Sequence, residues 1–304
     1  MFKKYLKGLC VLILCILTVF SLSGCGNNNG KTSNGKIKVS VTFDAMKEFV
    51  QAVGQDKVDI SVIIPDGTEP HDFEPKAKDI ASLNAANIFV YNGFGMEPWA
   101  NDAISSADNP NLISVEASKG AVPILNTDAS EISTNGQDDP HIWLSLKGAE
   151  IEVQNIKNAL VQADPANKDF YEKNYNDYVS QLESLYNEYN TKFQSVKNKS
   201  IVTGHAAFAY LCRDFSIQQN SVENVFAEGE PSAAQLISLV NYCKQNNVRT
   251  IFAEQMASLD VSNTLANEVG AKVETIYTIE SSENNKSYLE RMQDNLSKIY
   301  DSLK

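Results

Sequence analysis

The stretch DPANKDFYEKNYNDYVSQLESLYNEYNTKF, Asp164 to Phe193, decides how the rest of the chain is arranged. Tyr171, Tyr175, Tyr178, Leu182, Leu185 and Tyr189 follow one another at steps of four and three, which is one apolar face of a continuous helix. Asp164 suits the N-cap and Pro165 the first helical position, where a missing N–H costs nothing. At 1.5 Å per residue such a helix reaches roughly 45 Å, enough to span two lobes. Its tyrosine stripe reads as core packing rather than as a ligand platform, since each ring carries a large apolar area to bury.

Outward from this helix the pattern alternates. Before it, strands are expected at 37–41, 58–64, 88–91 and near 112–115, with helices at 45–53, 76–85, 97–106 and 144–163. After it, strands are expected at 201–203, 217–222, 250–253 and 272–277, with helices at 206–215, 231–245, 261–269 and 286–303. Such alternation predicts an α/β fold of two βα lobes, each with a mainly parallel sheet. The expected division is an N-terminal lobe over 37–164, a linking backbone helix over 165–197 and a C-terminal lobe over 198–304. Gly93-Phe94-Gly95 lacks the further glycine and acid of a dinucleotide site and reads as a turn. Glu230-Pro231-Ser232 reads as a helix start, with acids near the positive end of the helix dipole.

The chain has three histidines, His71, His141 and His205. Each lies where a strand or loop gives way to a helix, in Glu69-Pro70-His71-Asp72, Asp139-Pro140-His141-Ile142-Trp143 and Thr203-Gly204-His205. Ligands of open α/β sheets gather at the C-terminal ends of strands, so these positions face one cleft between the lobes. Imidazole is the commonest ligand for zinc-like metals, and three imidazoles plus a carboxylate or water complete a tetrahedral shell. Pro70 and Pro140 restrict the backbone beside two of the three.

The N-terminus carries Lys3, Lys4 and Lys7, an apolar run over 9–22, and then Leu22-Ser23-Gly24-Cys25. That is an export signal over 1–24, its apolar run short for a membrane span, ending in what looks like a lipobox with Cys25 as the lipidated residue. Residues 25–36 are rich in Gly, Asn and Ser and form a tether. Losing the signal's three lysines leaves 23 basic against 38 acidic side chains, a net charge of −15. Such a surface argues against nucleic acid and anionic lipid as partners. Cys212 and Cys243 remain in the folded body, either paired or as buried free thiols.

Taken together these motifs resemble the cluster 9 metal-binding receptor lipoproteins of ABC importers, the zinc/manganese type. Pro65-Asp66-Gly67, Pro70-His71-Asp72-Phe73-Glu74-Pro75, Asp139-Pro140-His141-Ile142-Trp143, Thr203-Gly204-His205, Glu230-Pro231-Ser232 and Ile251-Phe252-Ala253-Glu254 carry the resemblance across the mature chain. It implies His71, His141 and His205 as three metal ligands. Manganese-type members usually have Glu at the third position, so His205 resembles the zinc type, and imidazole suits zinc. Those members place an Asp in the loop after the last strand of the second lobe. Here that loop reads Thr278-Ile279-Glu280-Ser281-Ser282-Glu283, so Glu280 is the candidate fourth ligand, with Glu283, Glu69 or a water as alternatives.

Glu254 is a candidate to orient a ligand histidine, with packing or capping as the other reading. The 126–139 segment has no histidine before His141 and reads as a surface loop rather than a metal collector. The implied function is an extracytoplasmic, lipid-anchored, monomeric Zn²⁺ receptor serving an ABC permease and its ATPase. The alternatives are a Mn²⁺-selective receptor and a metal-dependent adhesin. A zinc hydrolase is the remotest reading, because the chain has no His-Glu-x-x-His helix and no nucleophile elbow.

Overall fold

The computed structural model describes residues 35–126, 138–227, 231–254 and 259–304. In its first half β1 (Ile37–Val41), β2 (Val58–Val62), β3 (Ile88–Tyr91) and β4 (Ile113–Glu116) form a parallel sheet in the order β2-β1-β3-β4. In its second half β5 (Ser200–Thr203), β6 (Gln218–Ser221), β7 (Thr250–Glu254) and β8 (Lys272–Ile276) repeat that order as β6-β5-β7-β8, again all parallel. The central strands β5 and β7 are buried at every residue, as a sheet covered on both faces requires. The edge strand β2 leaves Asp59, Ser61 and Val62 in solvent.

Helices α1 (Asp44–Gly54), α2 (Ala77–Leu83) and α3 (Ala100–Ser106) serve the first sheet. After α4 (Leu146–Ala163) and α5 (Lys168–Gln194) come α6 (Ala209–Phe215), α7 (Ala233–Gln245), α8 (Asp260–Val269) and the closing α9 (Tyr288–Ser302). The bridging helix is α5, whose 27 residues span about 40 Å. Its stripe is core: Tyr171, Leu182, Tyr189 and Phe193 are buried, and Tyr175, Tyr178 and Leu185 are half-buried against the same cluster. Near its start Asn174 donates to the Val53 carbonyl of α1 at 2.9 Å, and near its end Phe193 packs on Phe215 and Tyr300. One hydrophobic cluster therefore runs from Val39, Phe43 and Phe49 through Trp143 and Leu182 to Phe208, Tyr277 and Met292. The second lobe adds its own cluster around Val202, Leu239, Ile251 and Leu265.

Several boundaries differ from the sequence reading. Asp164 does not cap the long helix: a 3-10 turn, Pro165–Asn167, intervenes, and the Asp164 carboxylate accepts from Asn167 Nδ2 and the Tyr171 hydroxyl. The helix after His205 starts at Ala209 instead of 206, because Thr203 Oγ1 donates to the His205 carbonyl at 2.6 Å and removes it from the helical ladder. α3 starts at Ala100, beyond Pro98, which disfavours a helical Glu97, and the Glu97 side chain turns back to accept the N–H groups of Asn92 and Gly93. Ser232 caps α7, in a reciprocal bond pair with Gln235. Cys212 and Cys243 do not pair; they are buried free thiols in two different clusters. Cys25, residues 26–34 of the tether, Glu228, Glu230 and residues 127–137 of the acidic segment lie outside the described residues. Among the described residues no helix is long and apolar enough to cross a membrane.

Candidate metal centre

His71, His141, His205 and Glu280 come together in the cleft between the two lobes, with one donor atom from each lying within 4.8 Å of the others. His71 reaches it from the loop after β2, past a turn in which Gly67 has φ 82°, a conformation that glycine adopts without strain. His141 precedes the 3-10 turn Ile142–Leu144 that leads into α4. His205 follows β5, and Glu280 follows β8. His141 Nε2 is 3.1 Å from His71 Nε2 and 3.3 Å from His205 Nε2. His141 and His205 are buried, and His71 keeps a partly exposed edge against the Phe226 ring, 5.4 Å between centroids.

The tautomer of His141 is set by Asp139, whose Oδ1 lies 2.9 Å from His141 Nδ1 and 2.9 Å from its backbone N. With Nδ1–H donated there, Nε2 carries the lone pair and points into the cluster. Asp139 is a positioning residue that the sequence reading had inside a motif without a role, and the signal for it was an acid two residues ahead of the histidine across a proline. Its loop is held by Tyr210, whose hydroxyl donates to the Asp139 carbonyl at 2.6 Å and accepts from Ile124 N at 3.0 Å.

Glu254 ends β7 beside His205. Its Oε1 accepts the His205 N–H at 3.2 Å and stands 3.6 Å from Nδ1, beyond hydrogen-bond length for the ring. The carboxylate lies flat on Gly204, where a Cβ would come within 2.0 Å of Oε2. Burial pushes Glu254 up to about 7.

Glu280 is 8% exposed, so it is not the solvated loop charge that its loop position would allow. Thr278 Oγ1 donates to Oε2 at 2.7 Å, while Oε1 is buried without a partner. Burial first, and then the charge of Glu69, hold its carboxyl well above the usual range. Burial and the mutual repulsion of the rings hold His71 and His205 well below theirs, so both are neutral donors at physiological pH. Of the other acids considered, Glu69 accepts the His71 backbone N–H at 3.2 Å, and Glu283 faces Arg291 at 3.8 Å; neither belongs to the four-donor cluster.

Two parallel-sheet lobes bridged by one long helix, with three converging imidazoles and an unsatisfied carboxylate in the cleft, define a metal-binding receptor of the solute-binding class. The chain belongs to the family described as zinc-uptake complex component A, periplasmic, which it matches over residues 39–302. A protein of Treponema pallidum (strain Nichols) is 45% identical over 88% of each chain. The high-affinity zinc uptake system protein ZnuA of Bacillus subtilis (strain 168) is 38% identical over 100% of this chain and 99% of its own. Among solved structures, the laminin-binding protein Lmb of Streptococcus agalactiae, described as having adhesin and metal-transporting activity, aligns with a TM-score of 0.81 at 33% identity, covering 88% of this chain and 100% of its own. The Zn(II)-bound ZnuA-like domain of Streptococcus pneumoniae AdcA aligns at 0.76 and 32% identity, covering 88% of this chain and 99% of its own.

Proposed function

We propose that this protein captures Zn²⁺ outside the cytoplasmic membrane through His71, His141, His205 and Glu280 and delivers it to the permease and ATPase of an ABC importer. The observation that carries the reading is the convergence of three Nε2 atoms at 3.1 and 3.3 Å around an orphaned, buried Glu280 oxygen. A tetrahedral shell with Zn–N of about 2.0–2.1 Å has ligand-to-ligand edges of about 3.3 Å, so His141 already stands at that edge length from His71 and His205, with all four donors within 4.8 Å of one another. Three nitrogens and one oxygen favour zinc over manganese on donor type. The zinc-uptake family and the zinc-named relatives in B. subtilis and S. pneumoniae support the same cargo.

Zinc here is cargo, not a catalytic cofactor. With Glu280 in the fourth position no coordination site is left for an attacking water, no histidine remains to serve as general base, and the protein acts as a monomeric receptor without turnover. Residues 1–24 direct export, Cys25 takes the lipid, and 25–36 tether a body made of the 37–164 lobe, the 165–197 backbone helix and the 198–304 lobe. Deleting the gene should lower zinc accumulation in zinc-starved cells, with recovery by the wild-type chain and none by His141→Ala. Normal accumulation in the deletion strain under starvation would refute the transport role.

A further inference from the structure

The turn that presents Glu280 is part of the second lobe by sequence, but four of its anchors lie on the first. Trp143 Nε1 donates to the Thr278 carbonyl at 2.8 Å, the Asp44 N–H donates to the Glu280 carbonyl at 3.2 Å, Gly67 N donates to Ser281 Oγ at 3.0 Å, and Ser282 N donates to Asp66 Oδ1 at 2.9 Å. At the centre stands Arg291 of α9, fully buried. Its Nη1 donates to the Ser281 carbonyl at 2.7 Å, and its Nη2 donates to Asp44 Oδ2 at 2.6 Å. Asp44, 2% exposed, opens α1 of the first lobe and takes Lys47 Nζ at 2.9 Å on its other oxygen. Ile279 just before the ligand has φ 59°, so the backbone there is bent into a conformation that a β-branched residue holds only when its surroundings impose it.

We infer that Asp44 and Arg291 are positioning residues for metal capture: they lock the 279–281 turn to the first lobe, so that the Glu280 carboxylate stands opposite the three imidazoles before the ion arrives. The two grip adjacent carbonyls, Glu280 by the Asp44 backbone and Ser281 by the guanidinium, and the ion pair ties the grips together. A planar guanidinium reaches a carbonyl and a carboxylate at once, which a lysine ammonium on a flexible stem does not reproduce. A buried pair of this kind is weak as a source of stability but strong as a specifier of geometry, because removing one partner strands the other. Its consequence is that the fourth ligand is registered to the same body as His71 and His141, although the chain reaches it some 140 residues after the second of them.

The inference rests on Glu280 being a ligand, and the test separates the two. Asp44→Asn, Arg291→Lys, Glu280→Ala and the double variant Glu280→Ala/Arg291→Lys are stripped of metal, checked for folding by circular dichroism, and titrated with Zn²⁺ against a chromophoric chelator. The visible absorption of each Co²⁺-loaded form reports the number and geometry of ligands. Removing groups that orient ligands typically weakens a metal site about 10- to 100-fold, and each single clamp variant should lose that much zinc affinity. Their Co²⁺ spectra should shift toward that of Glu280→Ala, and the double variant should bind no more weakly than Glu280→Ala alone.

Clamp variants with a lower melting temperature but wild-type affinity and spectrum would show a purely structural ion pair and overturn the inference. Glu280→Ala with wild-type affinity and spectrum would instead remove Glu280 from the ligand set. Should Arg291→Lys fail to fold, Asp44→Asn, nearly isosteric, decides the matter by the same two readouts.

Discussion

Replacing Gly204 by alanine tests how His205 is held. The added Cβ would stand 2.0 Å from Glu254 Oε2, 3.0 Å from Cδ and 3.3 Å from Oε1, so the carboxylate must retreat by about 1 Å to reach even a 3.0 Å contact. It cannot do so and keep its bond to the His205 N–H, which at 3.2 Å is already at the long end of the normal range. Loss of a hydrogen bond to a carboxyl that titrates at about 7 costs about 0.5–3 kcal/mol, and overpacking a buried site about 1–3 kcal/mol. Both describe one displacement, so the apo protein should lose about 2 kcal/mol of stability rather than the sum. With Glu254 no longer fixing the His205 backbone, zinc affinity should fall about 10- to 100-fold, equivalent to about 1.4–2.8 kcal/mol. Urea unfolding of the apo protein and chelator competition for zinc measure the two quantities separately. Unchanged stability and unchanged affinity would refute the packing argument. A stability loss alone would show that Glu254 fills space beside His205 without orienting it.

Three further outcomes follow from the charges and the core. Because burial holds the Glu280 carboxyl well above the usual carboxylate range and His71 and His205 well below the histidine range, zinc binding should release a proton from Glu280 over the pH range in which it stays protonated; calorimetry in buffers of different ionisation enthalpy counts it, and proton release unchanged by Glu280→Ala would contradict the assignment. For the apo protein the shifts act in opposite directions: the depressed histidines remove stability as pH falls below 6.5 through their folded pKa, and Glu280, with the other raised carboxyls Glu97, Glu152, Glu254 and Glu283, removes it as pH rises from the unfolded carboxylate range through the folded pKa, so Glu280→Gln should lessen the fall of the urea midpoint with rising pH, and an unchanged pH profile would contradict this. Since the core is continuous from Val39 to Met292 without help from a metal, chelated protein should still unfold cooperatively, with zinc raising the midpoint by mass action, and an unfolded apo state would contradict this.

The sequence carried most of the fold, for physical reasons visible in single residues. The i, i+4, i+7 tyrosines of α5 and the apolar strands β1, β5 and β7 depend on local periodicity, which a linear reading captures. The start of the helix after β5 was missed because the Thr203 side chain takes the His205 carbonyl. The three histidines were legible because no others competed with them. Glu280 was reached through family resemblance alone, since nothing local distinguishes it from Glu283. Asp44, Tyr210 and Arg291 left no local signal: their partners lie 247, 71 and 247 residues away along the chain, and only the folded seam brings them together.

The most direct test of the central claim is calorimetric titration of metal-stripped residues 26–304 with Zn²⁺ and Mn²⁺, on the wild-type chain and on His205→Ala and Glu280→Ala. The arrangement predicts one tight zinc site per chain, much weaker manganese binding, and weakened zinc binding in both variants. Tight manganese binding with poor zinc retention would contradict the cargo, and zinc binding indifferent to both substitutions would contradict the site.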